Sequence, residues 1–506
     1  MTDRALKAIA PEAAPLLDPR EERLLRRVER ERAARKQAEQ LLEDKSRALY
    51  EANEELAALA NRLEIRVAER TDELVSERER ALKLANTDQL TGLANRRHFL
   101  EWLEAACTDL GREFQLFLID IDGFRAINDN FGEGTGDKVL ATLGARLMEI
   151  VGVSAIGARI GPDEFALVRP GFSEDLPPAL EAESIGVLLG QPIELCERQL
   201  PVTCSIGVVS FPAQASSVEQ LLRYGDLALQ AVRKAGIGGV RLYDPELTEA
   251  ANARRKLQSD LVRALSSGEI VAWYQPIVDS ASGRIRGVEA LARWQHPERG
   301  LLGPAHFIEL AEEAHLMDAL FDRMLSCAAA DIGRLVAEGR LDYVSVNVSP
   351  SQFRWAGLGH RVLQTARAHG LGPEALVLEI TEELIVADLT VSLRELLRLS
   401  NAGVRVALDD FGTGYSNIAA LKRMPVDWLK IDRSLLANLE QSDIDQEIVR
   451  AVLHMARALG VDVIAEGVET RAQADWLVQA GCGRQQGYLY SKPVPLAELR
   501  QLNFCG

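Results

Sequence analysis

Asp409 and Asp410 are adjacent carboxylates at the end of an alternating apolar run (Val404, Val406, Leu408), and a Gly-Thr-Gly turn follows them in the stretch VRVALDDFGTGYSN. The run has the composition of a strand, and the glycines mark a freely bending loop. Neighbouring carboxylates repel unless a cation lies between them, so the pair points to a hard metal held through oxygen. Taken alone, it also suits an acidic turn with a helix N-cap. The pattern recurs, however, along the rest of the C-terminal half. Gln275 lies in AWYQPIV, Glu289 and Arg293 in GVEALARW, Asn347 in YVSVNVS, and Glu379 and Glu382 in LVLEITEE. Lys430 lies in VDWLKID, Glu466 and Glu469 in DVIAEGVE, and Gln486 in GRQQGYLYSKP. Each apolar run delivers an oxygen ligand or a charge.

Glu289, Asn347, Glu379, Asp409, Asp410 and Glu466 form an oxygen-rich set without His or Cys, which selects Mg2+ or Mn2+ over zinc. Five carboxylates exceed the need of one divalent ion and imply two. Two ions about 3.5–4 Å apart suit in-line hydrolysis of a phosphodiester, generating hydroxide and stabilising the charge that develops. Lys430 could orient the attacking water or neutralise the phosphorane, and Arg293 could clamp a phosphate by its fork. For either residue the alternative is a salt bridge to neighbouring carboxylates. Such groups must converge to act. The elements available are short apolar runs alternating with helical stretches such as Phe307 to Glu338, Leu358 to His369 and Gln446 to Gly460. This alternation predicts a TIM-like (β/α)8 barrel with its site at the C-terminal strand ends.

The stretch from about Lys256 to Phe504 resembles the EAL domain family of cyclic-di-GMP phosphodiesterases, and Glu289-Ala290-Leu291 followed by Ala292-Arg293-Trp294 stands where that family has its eponymous motif. The resemblance implies that Glu289, Asn347, Glu379, Asp409 and Glu466 are metal ligands, with Asp410 beside them. It makes Lys430 the catalytic lysine, acting with Glu289 and Glu466, and Gln275, Leu291, Arg293 and Gln486 contacts or supports for substrate. It further implies that DDFGTGYSN couples a dimer interface to the metals, with Asn417 where serine is commoner, and that Glu382 anchors this loop. No ligand position departs from the pattern. The expected activity is hydrolysis of cyclic di-GMP to linear pGpG with two Mg2+ or Mn2+ ions.

A second region opens with NTDQLTGLANRR (Asn86 to Arg97) and continues with FQLFLIDIDGFRAINDNFGEGTGDKVL (Phe114 to Leu140). A hairpin then runs through the turn Gly161-Pro162-Asp163-Glu164. From about Thr87 to Tyr243 the chain resembles the GGDEF diguanylate cyclases, an α+β fold with a central antiparallel sheet. The resemblance implies metal ligation by Asp120 and Asp163, with Glu164 beside the latter, and guanine recognition by Asn128 and Asp137. Three departures argue against cyclase activity. Proline replaces the second signature glycine, fixing φ and deleting an N–H where backbone must approach a phosphate. The phosphate-clamping cations fall on Arg233 and Ile237, so one is lost. The product-inhibition site falls on Gly152 and Ala155 and is absent. A regulatory domain that still binds GTP, or a spent spacer, is expected.

Ahead of these, residues 1–19 read as loose, and 20–86 contain neither Gly nor Pro. Leu42, Leu49, Leu56 and Leu63 fall seven apart, a heptad seam that slips to Val67, Leu74 and Ala81. A parallel dimerising coiled coil is expected, with a solvated single helix, or one folded back on the body, as the alternative. The expected order is helix 20–86, cyclase-like domain 87–245, linker helix 246–255 and barrel 256–506. Length alone requires more than one core at 506 residues. A net charge of −17 opposes nucleic acid and anionic membranes, though not a small phosphorylated ligand held by metals. The six cysteines are scattered without CxxC, which suits reduced thiols. No apolar run reaches the roughly 18 residues of a span, and there is no signal-peptide pattern, so a cytoplasmic protein is expected. The rival function is a receptor for cyclic di-GMP or GTP that signals through the coiled coil without turnover. A bifunctional enzyme is a third reading, against which Pro162 and Ile237 stand.

Overall fold

The computed structural model describes residues 19–109, 113–151, 155–171, 177–195, 198–236, 238–354, 357–382, 389–412 and 421–502. Residues 1–18, Gly152, Cys196, Ile237, Cys505 and 413–417 of the glycine loop, Asn417 included, lie outside the described residues. The chain divides into two units, Met1–Leu247 and Thr248–Gly506.

The first unit begins with one helix, Pro19–Asn86, of 68 residues. At about 1.5 Å per residue it is about 100 Å long. Its seam is uncovered: Leu42, Leu49, Leu56 and Leu63 are 74, 68, 61 and 53 % exposed. A sheet follows, formed by β1 (Ala94–Asn95), β2 (Phe114–Ile121), β3 (Ile156–Arg159), β4 (Glu164–Pro170), β7 (Cys204–Phe211) and β8 (Gly239–Leu242), with a separate hairpin of β5 (Ile193–Leu195) and β6 (Arg198–Leu200). Its order is β1-β3-β4-β2-β7-β8, antiparallel through the centre. Strand side chains alternate between faces, and β2 uses both. Phe117, Ile119 and Ile121 pack with Val139, Leu143 and Leu147 of the helix Glu133–Ile150. Phe114, Leu116 and Leu118 pack on the other side with Phe99 and Leu103 of Arg96–Thr108 and Leu221 and Leu229 of Val218–Ala235.

In the second unit the helix Pro245–Ser267 buries Leu257, Leu261 and Ala264 and leads into a closed barrel. Its strands are β9 (Ile270–Asp279), β10 (Ile285–His296), β12 (Tyr343–Val348), β13 (Leu376–Thr381), β14 (Arg405–Phe411), β15 (Trp428–Ile431), β16 (Asp462–Ala465) and β17 (Arg484–Gln486). β11 (Gly300–Leu302) and β18 (Val494–Pro495) extend it at β10 and β9. From β10 to β17 all neighbours are parallel, whereas β9 is antiparallel to both β10 and β17. The expected (β/α)8 barrel is therefore present with its first strand reversed. The short connection between β9 and β10 accounts for this, because a parallel pair needs a long crossover. One expected helix also breaks. Phe307 to Glu338 becomes two helices, Ile308–Glu313 and Met317–Ala337, interrupted at His315, whose φ of 56° no helix residue adopts, and a 3-10 turn at Pro304–His306 precedes them.

The barrel interior is layered. Ile277, Tyr343, Val377, Ala407, Trp428 and Ile464 form an apolar plug in which the Tyr343 and Trp428 rings lie 4.5 Å apart. Gly287 makes room for it, since a Cβ there would lie 2.3 Å from the Tyr343 ring. One step of two residues up the same strand faces stand Glu379, Asp409, Lys430 and Glu466.

Candidate active site

Lys430 organises this upper layer. It is only 1 % exposed, and its Nζ lies 2.5 Å from Glu466, 2.7 Å from Glu379, 3.1 Å from Asp409 and 3.5 Å from Glu289. Burial disfavours the charged amine, but the combined field of Asp409, Glu289, Glu379 and Glu466 reverses this and raises its pKa well above the ordinary lysine value. Glu289 is pinned from two more sides, accepting from Asn347 Nδ2 at 2.8 Å and Gln486 Nε2 at 2.7 Å. Burial would push it upward, yet Lys430 and these amides hold it below its ordinary value. Gln486 also donates to Gln275 Oε1 at 3.1 Å, and Gln275 donates to the Ser491 carbonyl at 3.2 Å.

Gln275 reaches the site by a route the sequence reading did not anticipate. It is not at a C-terminal strand end but in the middle of reversed β9, directly opposite Glu289 of β10. The antiparallel hairpin supplies by register what the other strands supply by their ends.

Asp409 and Asp410 raise a geometric difficulty, because consecutive strand residues point to opposite faces. Asp410 resolves it with a left-handed φ of 55°, and the β14–β15 register shifts between Leu408 and Phe411. Both carboxylates thereby share one site, where oxygens of Asp409, Asp410 and Glu466 all lie within 4.8 Å of one another. Just beyond, Glu382 Oε1 accepts from the Gly412 N–H at 3.1 Å, fixing the start of the glycine loop. Gly412 has φ 104°, which favours glycine.

These groups suit divalent cations. Glu379 Oε1 is buried without a hydrogen-bond partner among the described residues. Burial and repulsion from Glu289 raise the Glu379 pKa well above the ordinary value. Burial raises Glu466 to about 8 despite Lys430. An all-oxygen set in which Glu379 and Glu466 hold protons for want of positive charge fits hard cations. Asp409, Asp410 and Glu466, with Glu289, Glu379 and Asn347, are the residues that would hold them. Glu469 lies apart, exposed, its N–H bonded to Gln473 beside the next helix. Leu291 and Arg293 continue β10 beyond Glu289, and Arg293 lies over the ring of Trp273, a residue the sequence reading missed. Its signal was present, since Trp273 is two residues from Gln275 on the same strand face.

In the first unit, register places Asp120 opposite Glu164, so Glu164 shares its face. Asp163 contributes backbone instead, its carbonyl accepting from the Ile121 N–H at 3.2 Å. Arg233 makes a close ion pair with Asp120. Asn128 has a buried Oδ1 without a hydrogen bond among the described residues, beside Gly136, while Asp137 is exposed. The signature turn closes through Ile160 and Gly161 N–H groups on the Glu164 carbonyl, and the Pro162 carbonyl accepts from Arg159 at 2.6 Å. The turn therefore forms without an N–H at position 162, and proline costs the fold nothing there.

The family model described as EAL domain matches residues 258–493, and that described as Diguanylate cyclase, GGDEF domain matches residues 85–238. The bifunctional diguanylate cyclase/cyclic di-GMP phosphodiesterase MucR of Pseudomonas aeruginosa is 34 % identical over 448 residues, covering 88 % of this chain and 65 % of that protein. An uncharacterised protein of Mycobacterium bovis is 38 % identical over 426 residues, covering 83 % and 68 %. The chain spans 50 to 65 % of the length of several curated relatives it matches. The Vibrio cholerae LapD S helix-GGDEF-EAL structure, bound to c-di-GMP, aligns with a TM-score of 0.53 at 18 % identity, covering 82 % of this chain and 99 % of that one. That likeness is one of fold. Among the described residues no helix is long and apolar enough to cross a membrane.

Proposed function

The chain belongs to the tandem GGDEF–EAL family, and from that membership and the acidic site we propose that its barrel is a cyclic-di-GMP phosphodiesterase releasing linear pGpG. The observation that carries this reading is the convergence of Glu289, Glu379, Asp409 and Glu466 on one buried ammonium, with Asp410 alongside. Two Mg2+ or Mn2+ ions would supply a nucleophile from water at neutral pH and stabilise charge on the reacting phosphate.

Lys430 acts as a donor and not as a base, because its neighbours hold it charged. Its three N–H bonds are shared among four carboxylates. Any positive charge that draws off those carboxylates frees an N–H for the attacking water or the phosphorane. Gln486 and Asn347 hold Glu289 in one orientation, which preorganises the site. Arg293 clamps a phosphate of the substrate.

The cyclase-like unit is read as regulatory. MucR carries both activities in its name. In this chain the departures fall on the cyclase side alone: Pro162 at the turn tip, and Ile237 in place of a cation. Asp120, Asn128, Asp137 and Asp163 remain for a guanine nucleotide, and the exposed seam of Pro19–Asn86 suits a second copy of the chain. The test is chromatography of purified protein with cyclic di-GMP and Mg2+, with and without GTP. Appearance of pGpG is expected, faster with GTP. No pGpG with either Mg2+ or Mn2+ overturns the enzymatic reading, and calorimetry showing no GTP binding removes the regulatory one.

A further inference from the structure

We propose that Trp273 is a positioning residue that holds the Arg293 guanidinium flat and open toward a phosphate of the substrate. This rests on the phosphodiesterase reading above and adds to it a residue outside the ligand set. In the β9–β10 hairpin Gln275 pairs with Glu289, Trp273 with Leu291 and Val271 with Arg293. Side chains alternate, so Trp273 and Gln275 share a face with Glu289, Leu291 and Arg293. The Arg293 Cζ lies 5.6 Å from the Trp273 ring centroid, and Nη1 donates to the Ala292 carbonyl at 2.8 Å.

What Arg293 lacks is as informative. Among the described residues it forms no ion pair with a carboxylate. A half-buried cation without an acid partner is costly, and burial lowers its pKa although Tyr488 and Glu289 pull it upward. An aromatic face repays part of that cost without consuming the donors, because the N–H groups of a guanidinium stacked on a ring point outward in its plane. A carboxylate in the same place would have occupied the fork. Trp273 therefore keeps Arg293 fixed without consuming a donor, and with Nη1 held by the Ala292 carbonyl the Nε and Nη2 edge is the one left to recognise phosphate. Arg293 is four residues beyond Glu289, about 13 Å along the strand, so the fork holds substrate at a distance from the acidic cluster.

The test is calorimetric binding of cyclic di-GMP to the full chain in EDTA, with Mn2+ affinity measured in parallel. Trp273→Leu should weaken cyclic di-GMP binding about tenfold, and Trp273→Phe, which keeps a ring face, about twofold. In an Arg293→Ala background Trp273→Leu should add nothing, since both act through one guanidinium. Mn2+ affinity should be equal in all variants. Unchanged binding by Trp273→Leu, full additivity with Arg293→Ala (the indole then stacking on a base directly), or a joint loss of Mn2+ affinity would each overturn the proposal. If the wild type binds but releases no pGpG with Mn2+, the enzymatic reading fails while Trp273 is still judged by these affinities. If the wild type does not bind in EDTA, the proposed hold by Arg293 and Trp273 falls, while release of pGpG with Mn2+ separately decides the enzymatic reading.

Discussion

The molecule contains two acidic sites built around a cation, and they differ in how the charges balance. In the barrel one buried ammonium faces four carboxylates within 3.5 Å, and a fifth stands beside them. In the cyclase-like sheet, Arg233, its side chain 44 % exposed, forms an ion pair with Asp120, with Glu164 and Asp163 also acting on it. The first site has more acids than its one ammonium can balance, and it holds protons on Glu379 and Glu466 that metal ions would replace. The second is acidic too, with Asp120, Glu164 and Asp163 all acting on Arg233, but that cation reaches solvent and is not enclosed by them. Architecture explains part of this. A closed barrel brings strand after strand to one rim, whereas an open sheet presents only two neighbouring strands and the helix packed on them.

The largest test of the contrast removes one acid from each site. Glu289→Ala should lower pGpG release by at least about 10³-fold, while Asp120→Ala should leave it within about twofold, both read by chromatography. Equal losses would mean that the sites form one catalytic system. Removing the cations comes next. Lys430→Met leaves carboxylates buried and unpaired and should destabilise the metal-free barrel by about 3–5 kcal/mol in urea unfolding, with recovery in Mn2+. Arg233→Met should cost less, about 1–3 kcal/mol, because Arg233 is itself half exposed although its loss leaves the buried Asp120 without that partner.

Proton linkage gives a finer measure. Glu466, facing Lys430, Asp409 and Glu289, has a folded pKa of about 8 against an ordinary 4.5. Because the folded value is the higher, its contribution to metal-free stability is complete below the unfolded value and is lost as pH rises through 8. Metal must displace that proton, so Mn2+ affinity should rise with pH up to about 8, by about tenfold per unit for one proton released, as calorimetry in two buffers would show. Affinity that is flat between pH 6 and 8 would contradict the arrangement. The smallest effect is expected at the turn tip. Pro162→Gly should cost only about 0.5–1 kcal/mol, through a freer unfolded chain, and should not restore cyclic di-GMP synthesis from GTP.

The sequence made the barrel legible because alternation of strands and helices is a local pattern, and because every acid sat at the end of an apolar run. It could not show that β9 runs backward, since strand direction depends on what the strand pairs with. Gln275 was therefore identified by type and placed by the wrong rule. The break at His315 was hidden by helix-compatible neighbours on both sides. The Asp409–Asp410 pair was readable as metal-binding chemistry, but not the left-handed residue that lets both carboxylates meet. In the cyclase-like unit, Pro162 could be read as a loss of an N–H, and the structure adds that the turn never needed it. Trp273 was passed over because a tryptophan in a strand looks like core until its cross-strand neighbours are known.

The reversed first strand has one more consequence, for where the barrel can be cut and wired. Were all eight strands to run the same way, the chain would enter at the plugged floor and meet the reactive groups only after a layer of packed side chains. Here it enters at the mouth, where Glu269 is tied to the end of β10 through Trp294 Nε1 at 3.1 Å and the Gln295 N–H at 2.9 Å. The connection around Gly283 lies instead at the floor. Circular permutants opened at 281–283 should keep a working rim, while tags or new termini near Ser267 should disturb it.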